Sequence, residues 1–298
     1  MTVQIKGLVQ YIFKDTATTN EFIKTLTQEA LEVQEFSTCS ESQAFSFGFT
    51  PFTDGGFTLE SKEGLLFQVT TQYKKPKASQ VKHLCKQKEK EFMETNLVEK
   101  IDSDTKAIIK EDVIKSLLPT TFPDDPQTVL MWIKGNVLTV SSASYKKAEE
   151  LISEIRNYLG SFAVIPLKTI KDPLDVMAEM VLTKYNETIT LGTQVELEPV
   201  EEGATMKFSK ELVSNMDISK HIETKIDGVM TEISFVTKLE LDYEGSVFKI
   251  NDKLEYTGVK VSKEFTTGSK DEAAMLISIG EINSATEEVV KLMGGVIV

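Results

Sequence analysis

Several kinds of side chain are scarce in this sequence of 298 residues. It has two cysteines, two histidines, one tryptophan and a single arginine, Arg156. The cysteines, Cys39 and Cys85, are too few for a disulfide framework or for a zinc site built from cysteine. A reducing compartment is the simplest setting for such a chain, and we expect a cytoplasmic protein that needs no cofactor.

Long apolar runs are also missing. None approaches the roughly 20 residues that a membrane-spanning helix needs. The opening stretch, MTVQIKGLVQYIF, does not combine a basic start, a long apolar block and a small-residue cleavage site, so we interpret it as a first strand. With 41% hydrophobic and 27% charged residues, the composition is typical of a globular protein. The length suggests about two domains.

The common catalytic patterns are absent or weak. His83 and His221 are far apart in sequence, and neither a G-x-S-x-G elbow nor a G-x-x-x-x-G-K-[ST] phosphate loop occurs. Ser144 begins a match to the S-x-x-K pattern of acyl-transfer enzymes, but Ser79 and Ser103 begin the same match. Repetition in a lysine-rich chain indicates coincidence, and Ser144 is better interpreted as a helix N-cap.

Acidic residues are plentiful, and a metal-dependent nuclease would need several of them to converge on one or two divalent ions. The local pairs Asp124-Asp125 and Glu201-Glu202 each stand beside proline or glycine in turn-like segments. Solvated loop carboxylates are the favoured interpretation, and we expect no enzymatic turnover. A nuclease stays open as an alternative, because the sequence alone does not show whether such groups meet.

The charges are unevenly distributed along the chain. The net charge of −13 argues against a generally basic, nucleic-acid-coating protein, yet seven lysines and one glutamate lie between residues 74 and 90. This run is either a solvated helix face or a stripe that follows phosphate groups, and composition leaves both open. Lysine is a point charge on a flexible stem, which suits loose phosphate contact better than forked recognition of a base edge.

The spacing of apolar residues predicts an α+β protein. Strands are expected in the opening stretch, in GLLFQVTTQYKK and through much of residues 173–262. TVLMWIKGNVLTV predicts a hairpin, and SYKKAEELISEIRNYLG is the clearest helix. Other helices are expected over about Ser79–Lys100, Thr105–Leu118, 211–224 and 270–294.

These elements suggest three parts. We expect a β-rich central body from residues 1–73 with 127–172, a helical projection from 74–126, and a second β-rich, C-terminal α+β domain from 173–298. The linker that closes the projection, TTFPDDPQ, carries the lone aromatic Phe122 among chain-breaking residues. A large aromatic in such a place either packs back into its own core or fills a pocket on a partner.

Three segments occur in a distinctive order between about residues 110 and 167. They are KEDVIKSLLPTTF, QTVLMWI and VSSASYKKAEELISEIRNYLGSFAVIPL. Their order and spacing resemble the bacterial RdgC family, the recombination-associated proteins. IKGLVQYIF, ISKHIET and VTKLELDY extend the likeness more weakly over nearly the whole chain, with Tyr243 where the family has Trp. None of these motifs is a catalytic signature.

The resemblance implies a DNA-binding protein without sequence preference. Members of the family are similar in forming a two-subunit closed ring, with a basic hole wide enough for duplex DNA. They are thought to limit the access of the RecA recombinase to DNA, and some descriptions call them exonucleases. In a ring that opens to admit DNA, Phe122 would anchor the contact between the two subunits.

The chain departs from the family pattern at several places. Thr120 and Thr121 stand where the family has an arginine between Pro and Phe. Basic residues typical of the family's upstream helix are diluted here by Glu94, Glu99, Asp102 and Asp104. A segment around 225–235 looks inserted. Retained architecture is therefore a firmer expectation than retained affinity for DNA.

Together these observations predict a ring-forming homodimer in the cytoplasm, associated with the nucleoid. Its expected partners are double-stranded DNA and a RecA-type recombinase, without membrane contact. The lysines expected to contact DNA are Lys74, Lys75, Lys77, Lys82, Lys86, Lys207, Lys210 and Lys238, with Phe122 at the dimer interface and no bound metal. The alternatives are a metal-dependent exonuclease and an acidic protein-interaction module that kept the ring fold without binding DNA.

Overall fold

The computed structural model describes residues 5–184, 188–226, 229–262 and 271–297. The chain is α+β, as the apolar spacing predicted, and most strand pairs are antiparallel. In chain order the strands are β1 (Gly7–Phe13), β2 (Phe45–Phe49), β3 (Thr58–Ser61), β4 (Gly64–Tyr73), β5 (Gln127–Lys134), β6 (Val137–Val140), β7 (Val164–Pro166), β8 (Thr190–Pro199), β9 (Met206–Phe208), β10 (Glu223–Ile226), β11 (Val229–Glu232), β12 (Ser234–Tyr243), β13 (Ser246–Asn251) and β14 (Tyr256–Lys260).

Eight α-helices accompany these strands in the described ranges. They are α1 (Thr16–Thr25), α2 (Gln28–Val33), α3 (Ala78–Asn96), α4 (Ser103–Leu117), α5 (Tyr145–Leu159), α6 (Pro173–Thr183), α7 (Ser219–Ile222) and α8 (Asp271–Leu292). The two helices of the expected projection, the hairpin at Gly135 and the final helix are confirmed within a few residues. No helix in the described part of the chain combines the length and the apolar character that a membrane span requires.

The chain forms two compact units. The first contains the residues up to Ala30, Thr58–Phe67 and the chain from Val129 onward, and the second contains Leu31–Phe57 and Gln68–Thr128. The boundary predicted at 172/173 does not coincide with a division between these units. The C-terminal α+β domain expected over residues 173–298 therefore stays a prediction.

The first unit is built on an antiparallel sheet in the order β5-β6-β1-β14-β13-β12-β8-β9, with β7 also paired to β1. Every residue of β1 is buried, because the strand has neighbours on both edges and apolar layers on its faces. α5 buries Ala148, Leu151, Ile152 and Ile155 on one stripe, whereas the expectation that the same stripe would bury Tyr158 is wrong, because Tyr158 is 47% exposed. The Ser144 side chain caps α5 by accepting a hydrogen bond from Lys147 N, so the capping interpretation is confirmed.

The prediction of one helix near residues 211–224 is wrong. The segment instead forms a 3₁₀ turn at Val213–Asn215, the short α7, and then strand β10. Val213 and Ile222 are both buried. On a single helix, residues nine apart point to opposite sides, so one continuous helix could not bury both against the same surface. The chain bends between them. The segment that looked inserted holds the separate two-stranded pairing of β10 with β11.

The second unit combines a strand pair with a helical hairpin. β2 pairs with β4 from Phe45 opposite Tyr73 to Phe49 opposite Val69, and α3 and α4 contact each other along the hairpin. Its buried apolar residues include Phe47, Phe49, Phe52, Phe57 and Val69. α4 begins where the Asp102 carboxylate accepts hydrogen bonds from the backbone N–H groups of Asp104 and Thr105.

Candidate functional site

A lysine-lined groove of about 980 Å³ lies within the second unit, between α3 and α4. The residues that α3 contributes recur at helical spacing, and those of α4 do the same, so each helix presents one face to the groove. Five exposed lysines and one glutamate line it: Lys75, Lys82, Lys86, Lys106, Lys110 and Glu89.

The lysines of the groove differ in their pairing from those on the rest of the hairpin. Elsewhere on the two helices, Lys88 binds Glu91 at 3.0 Å, and Lys115 binds Glu111 at 2.8 Å. Lys90 likewise pairs with Glu94. Within the described residues, no ion pair joins any of the five groove lysines to a carboxylate. Uncompensated positive charge is therefore concentrated in the groove.

The structure separates the predicted lysines of this region into three roles. Lys74 is only 5% exposed, and its Nζ donates hydrogen bonds to the carbonyl oxygens of Ser40 at 3.2 Å and Glu41 at 3.0 Å. Lys74 thus holds a loop and has little surface for a ligand. Lys75, Lys82 and Lys86 line the groove, whereas Lys77 is exposed at the N-cap of α3 and is not among the lining residues.

Sequence reasoning missed Lys106 and Lys110. They lie on α4, in a segment where acidic residues balance the lysines, so local composition did not single them out. Their spacing of four residues on a predicted helix was the available signal, because it places both on one face. Only the folding of the hairpin brings them beside the lysines of α3.

The predicted lysines of the first unit form a separate arrangement. Lys207 on β9 and Lys238 on β12 are both paired in register with Glu196, on the strand β8 between them. Lys207 Nζ lies 3.1 Å from Glu196 Oε1, and Lys238 is half-buried. Lys210 follows β9 with a positive φ of 88°. The carboxylate of Glu196 offsets part of the positive charge along this row.

Phe122 is 91% exposed. It follows a 3₁₀ turn at Leu118–Thr120, and Leu118 is the residue of that turn that is buried. The interpretation in which Phe122 folds back into its own core is therefore wrong. An exposed phenylalanine offers a large apolar surface, which is the feature that a subunit contact would use.

Within the described ranges, the histidines and carboxylates do not assemble into a recognisable centre. His83 is exposed on α3, and the ring of His221 packs 5.4 Å from that of Phe208. Burial raises the pKa of Glu281, with Glu244 and Glu63 adding to the shift. Among the residues that the structure describes, no three His, Cys, Asp or Glu side chains come together as a metal-binding group.

Comparison with known proteins identifies the family. The family described as "Putative exonuclease, RdgC" matches residues 5–296. The chain belongs to the RdgC family, and the resemblance seen in its motifs is confirmed as that of a divergent member.

Curated relatives share this assignment. The recombination-associated protein RdgC of Pseudoalteromonas translucida (strain TAC 125) is 28% identical over 304 residues, covering 97% of each chain. That of Actinobacillus pleuropneumoniae serotype 7 (strain AP76) is 24% identical over 285 residues, covering 90% of this chain and 91% of the relative. The relatives are named for recombination, whereas the family description names an enzyme.

Proposed function

We propose that this protein binds double-stranded DNA without sequence preference. The observation that carries the proposal is the set of five lysines around the groove that form no ion pair with any carboxylate among the described residues, in a chain whose net charge is −13. Lysines that contact phosphates release counterions from the duplex, and this supplies affinity that does not depend on base sequence. The names of the curated relatives, which refer to recombination, support DNA as the ligand.

The proposal includes a ring-shaped homodimer that encircles DNA and limits access of a RecA-type recombinase. The exposed Phe122 supports it, because a large apolar side chain in a linker is suited to fill a pocket on a second copy. Closing a ring around DNA would retain the duplex without base contacts. Such a protein would be found on the nucleoid, in the cytoplasm.

The test is fluorescence anisotropy of a labelled duplex, titrated with protein at several salt concentrations. Each phosphate contact contributes roughly −0.9 to the slope of log affinity against log salt concentration. We expect a slope worth several phosphates in the wild type, and a shallower slope for Lys82→Gln with Lys86→Gln. No binding at low salt would contradict the proposal.

A matched control variant is available on the same helix. Lys88→Gln with Lys90→Gln removes the same charge, but those two lysines are already paired with Glu91 and Glu94. We expect a smaller effect on affinity than for the groove variant. Equal effects would indicate that only the net charge of α3 matters, and would remove the groove from the proposal.

The description of the family as an exonuclease favours one alternative, which is metal-dependent DNA cleavage. The samples of the titration, incubated with and without Mg²⁺ and run on a denaturing gel, distinguish the two. Intact DNA in both supports binding without turnover. Shortening that requires Mg²⁺ supports the nuclease.

A further inference from the structure

The floor of the groove between α3 and α4 is apolar. Between the lysines it is formed mainly by Phe45, Val81, Ala107 and Ile114. Phosphate contacts on a duplex are made by charged and hydrogen-bonding groups, and they make no use of such a floor. An apolar floor beneath a charged rim is the arrangement that binds an amphipathic helix, whose apolar side enters the groove.

The helices that form the groove are incompletely covered. No residue of the 19-residue α3 is buried, and Val113 is the residue that α4 buries. A helix of a globular protein ordinarily buries an apolar stripe against its neighbours. The inner face of the hairpin therefore has apolar surface available for a further element.

The aromatic residues that line the groove argue against single-stranded nucleic acid as its occupant. The rings of Phe45 and Tyr73 pack against each other with centroids 4.9 Å apart, and Lys75 Nζ lies 4.4 Å from the centre of the Tyr73 ring. Binding of single strands uses aromatic faces on which bases stack. Tyr73 already has a ring partner and a cation, so a base would have to displace one of them.

The charge of the rim defines the chemistry of the occupant. Among the described residues that line it, the groove carries five exposed lysines and one carboxylate, Glu89. The lining residues of α3 run from Ala78 to Glu89, which corresponds to about 17 Å, or about three helical turns. We infer that this groove binds an acidic amphipathic helix of about three turns, supplied by a partner protein. The inference goes beyond the proposed function and does not require it.

The probe is a fluorescein-labelled peptide of about 14 residues, a length at which an isolated helix is marginal, with leucines at i, i+3, i+4 and i+7 and glutamates elsewhere. A second peptide has the same composition with the leucines scattered. We expect the first peptide to bind about tenfold more tightly in an anisotropy titration with the full-length protein. Equal binding of the two peptides would overturn the inference, because charge alone would then account for it.

Two variants test the location. Ala107→Trp fills the floor without changing the charge, and Ala107 is exposed, so the fold should tolerate it. Ile108→Trp is the matched control, since Ile108 is 60% exposed and is not a lining residue. We expect Ala107→Trp to weaken binding of the first peptide about tenfold and Ile108→Trp to leave it unchanged. Identical effects, or none from Ala107→Trp, would contradict the inference.

Nucleic acid probes separate this inference from the proposed function. If oligothymidylate binds the groove in an Ala107-sensitive manner and the peptide does not, single-stranded DNA is the ligand and the inference fails. If the peptide binds as expected while the wild-type protein does not bind the duplex, the proposed function fails and the inference holds. If the duplex binds and neither peptide does, only the inference fails.

Discussion

The indole Nε1 of Trp132 donates a hydrogen bond of 2.9 Å to Oδ1 of Asn283, a residue 151 positions further along the chain. Trp132 is fully buried in β5, and Asn283 is 4% exposed on α8. The Asn283 amide in turn donates to the carbonyl oxygen of Glu63 at 3.2 Å. One buried amide thus joins the final helix to strand β5 and to the turn between β3 and β4, all within the first unit.

Replacing Asn283 with alanine should destabilise the protein by about 1–3 kcal/mol, because the buried indole N–H of Trp132 loses its acceptor. Urea unfolding followed by the fluorescence of the single tryptophan measures this directly. The midpoint should fall while the slope stays unchanged. Asn157→Ala is the control, since the exposed Asn157 amide donates its hydrogen bond to Glu154 nearby on α5. Equal midpoints for the two variants would contradict a structural role for the Trp132–Asn283 bond.

Phe122→Ala should weaken the homodimer or the retention of DNA while leaving the fold intact. Because Phe122 is 91% exposed, its loss should change the free energy of unfolding by no more than about 0.5 kcal/mol. Sedimentation velocity and the salt-dependent release of DNA are the measurements. Ile108→Ala, which removes another exposed apolar side chain of the same unit, should leave both unchanged. An unaltered sedimentation profile together with unaltered DNA retention in Phe122→Ala would refute the interface role.

Charge reversal of Lys207 together with Lys210 should reduce the affinity for all duplex sequences alike. Contacts to the phosphate backbone carry no sequence information, so their loss weakens binding uniformly and makes the salt dependence shallower. Anisotropy titrations on several unrelated duplexes measure this. A change confined to one sequence would contradict backbone contact.

Glu196→Gln tests the same lysine row by increasing its net positive charge. It removes the carboxylate that lies 3.1 Å from Lys207 Nζ, so the affinity for duplex DNA should rise. Glu198→Gln on the same strand changes the net charge equally, but Glu198 lies two residues along β8 from Glu196, the residue opposite Lys207. The first variant should bind more tightly than the second. Equal gains would show that only net charge is being measured.

Tyr256→Phe should be neutral or stabilising at neutral pH. Tyr256 is 1% exposed, and its hydroxyl has no hydrogen-bond partner among the described residues. A buried hydroxyl without a hydrogen-bond partner destabilises the folded state, because its desolvation is not compensated, and removing the hydroxyl removes this penalty. Tyr145→Phe is the contrasting variant, because it deletes a hydrogen bond of 3.1 Å from the Tyr145 hydroxyl to the carbonyl oxygen of Gln10. It should cost about 1 kcal/mol in urea unfolding.

The buried tyrosines also predict how the stability of the folded protein changes at alkaline pH. Burial raises the pKa of Tyr256 and of Tyr145 in the folded protein above the ordinary value for tyrosine. The resulting stability is fully present below the unfolded pKa of about 10 and is lost as the pH rises towards the folded pKa. Tyr256→Phe should therefore reduce the loss of stability above about pH 10. An unchanged alkaline unfolding profile would contradict the burial of an un-ionised Tyr256.

Local features of the fold could be predicted because they depend on residues close in sequence. The buried stripe of α5, the cap at Ser144, the hairpin at Gly135 and the lysine-rich α3 all follow from spacings of a few residues. The bend that divides residues 211–224 into a turn, a short helix and a strand could not be predicted in the same way. There, burial of Val213 and Ile222 against the rest of the first unit overrides the local pattern.

The sequence by itself determined that α3 carries a concentration of lysine and that Phe122 stands in a linker, since both are properties of composition and order. Only the tertiary structure decided that Lys74 is buried against Ser40 and Glu41, and that Lys106 and Lys110 join Lys82 and Lys86 around one groove. The physical reason is that desolvation and long-range contact select which lysines keep their charge accessible. Neither property can be computed from neighbours along the chain.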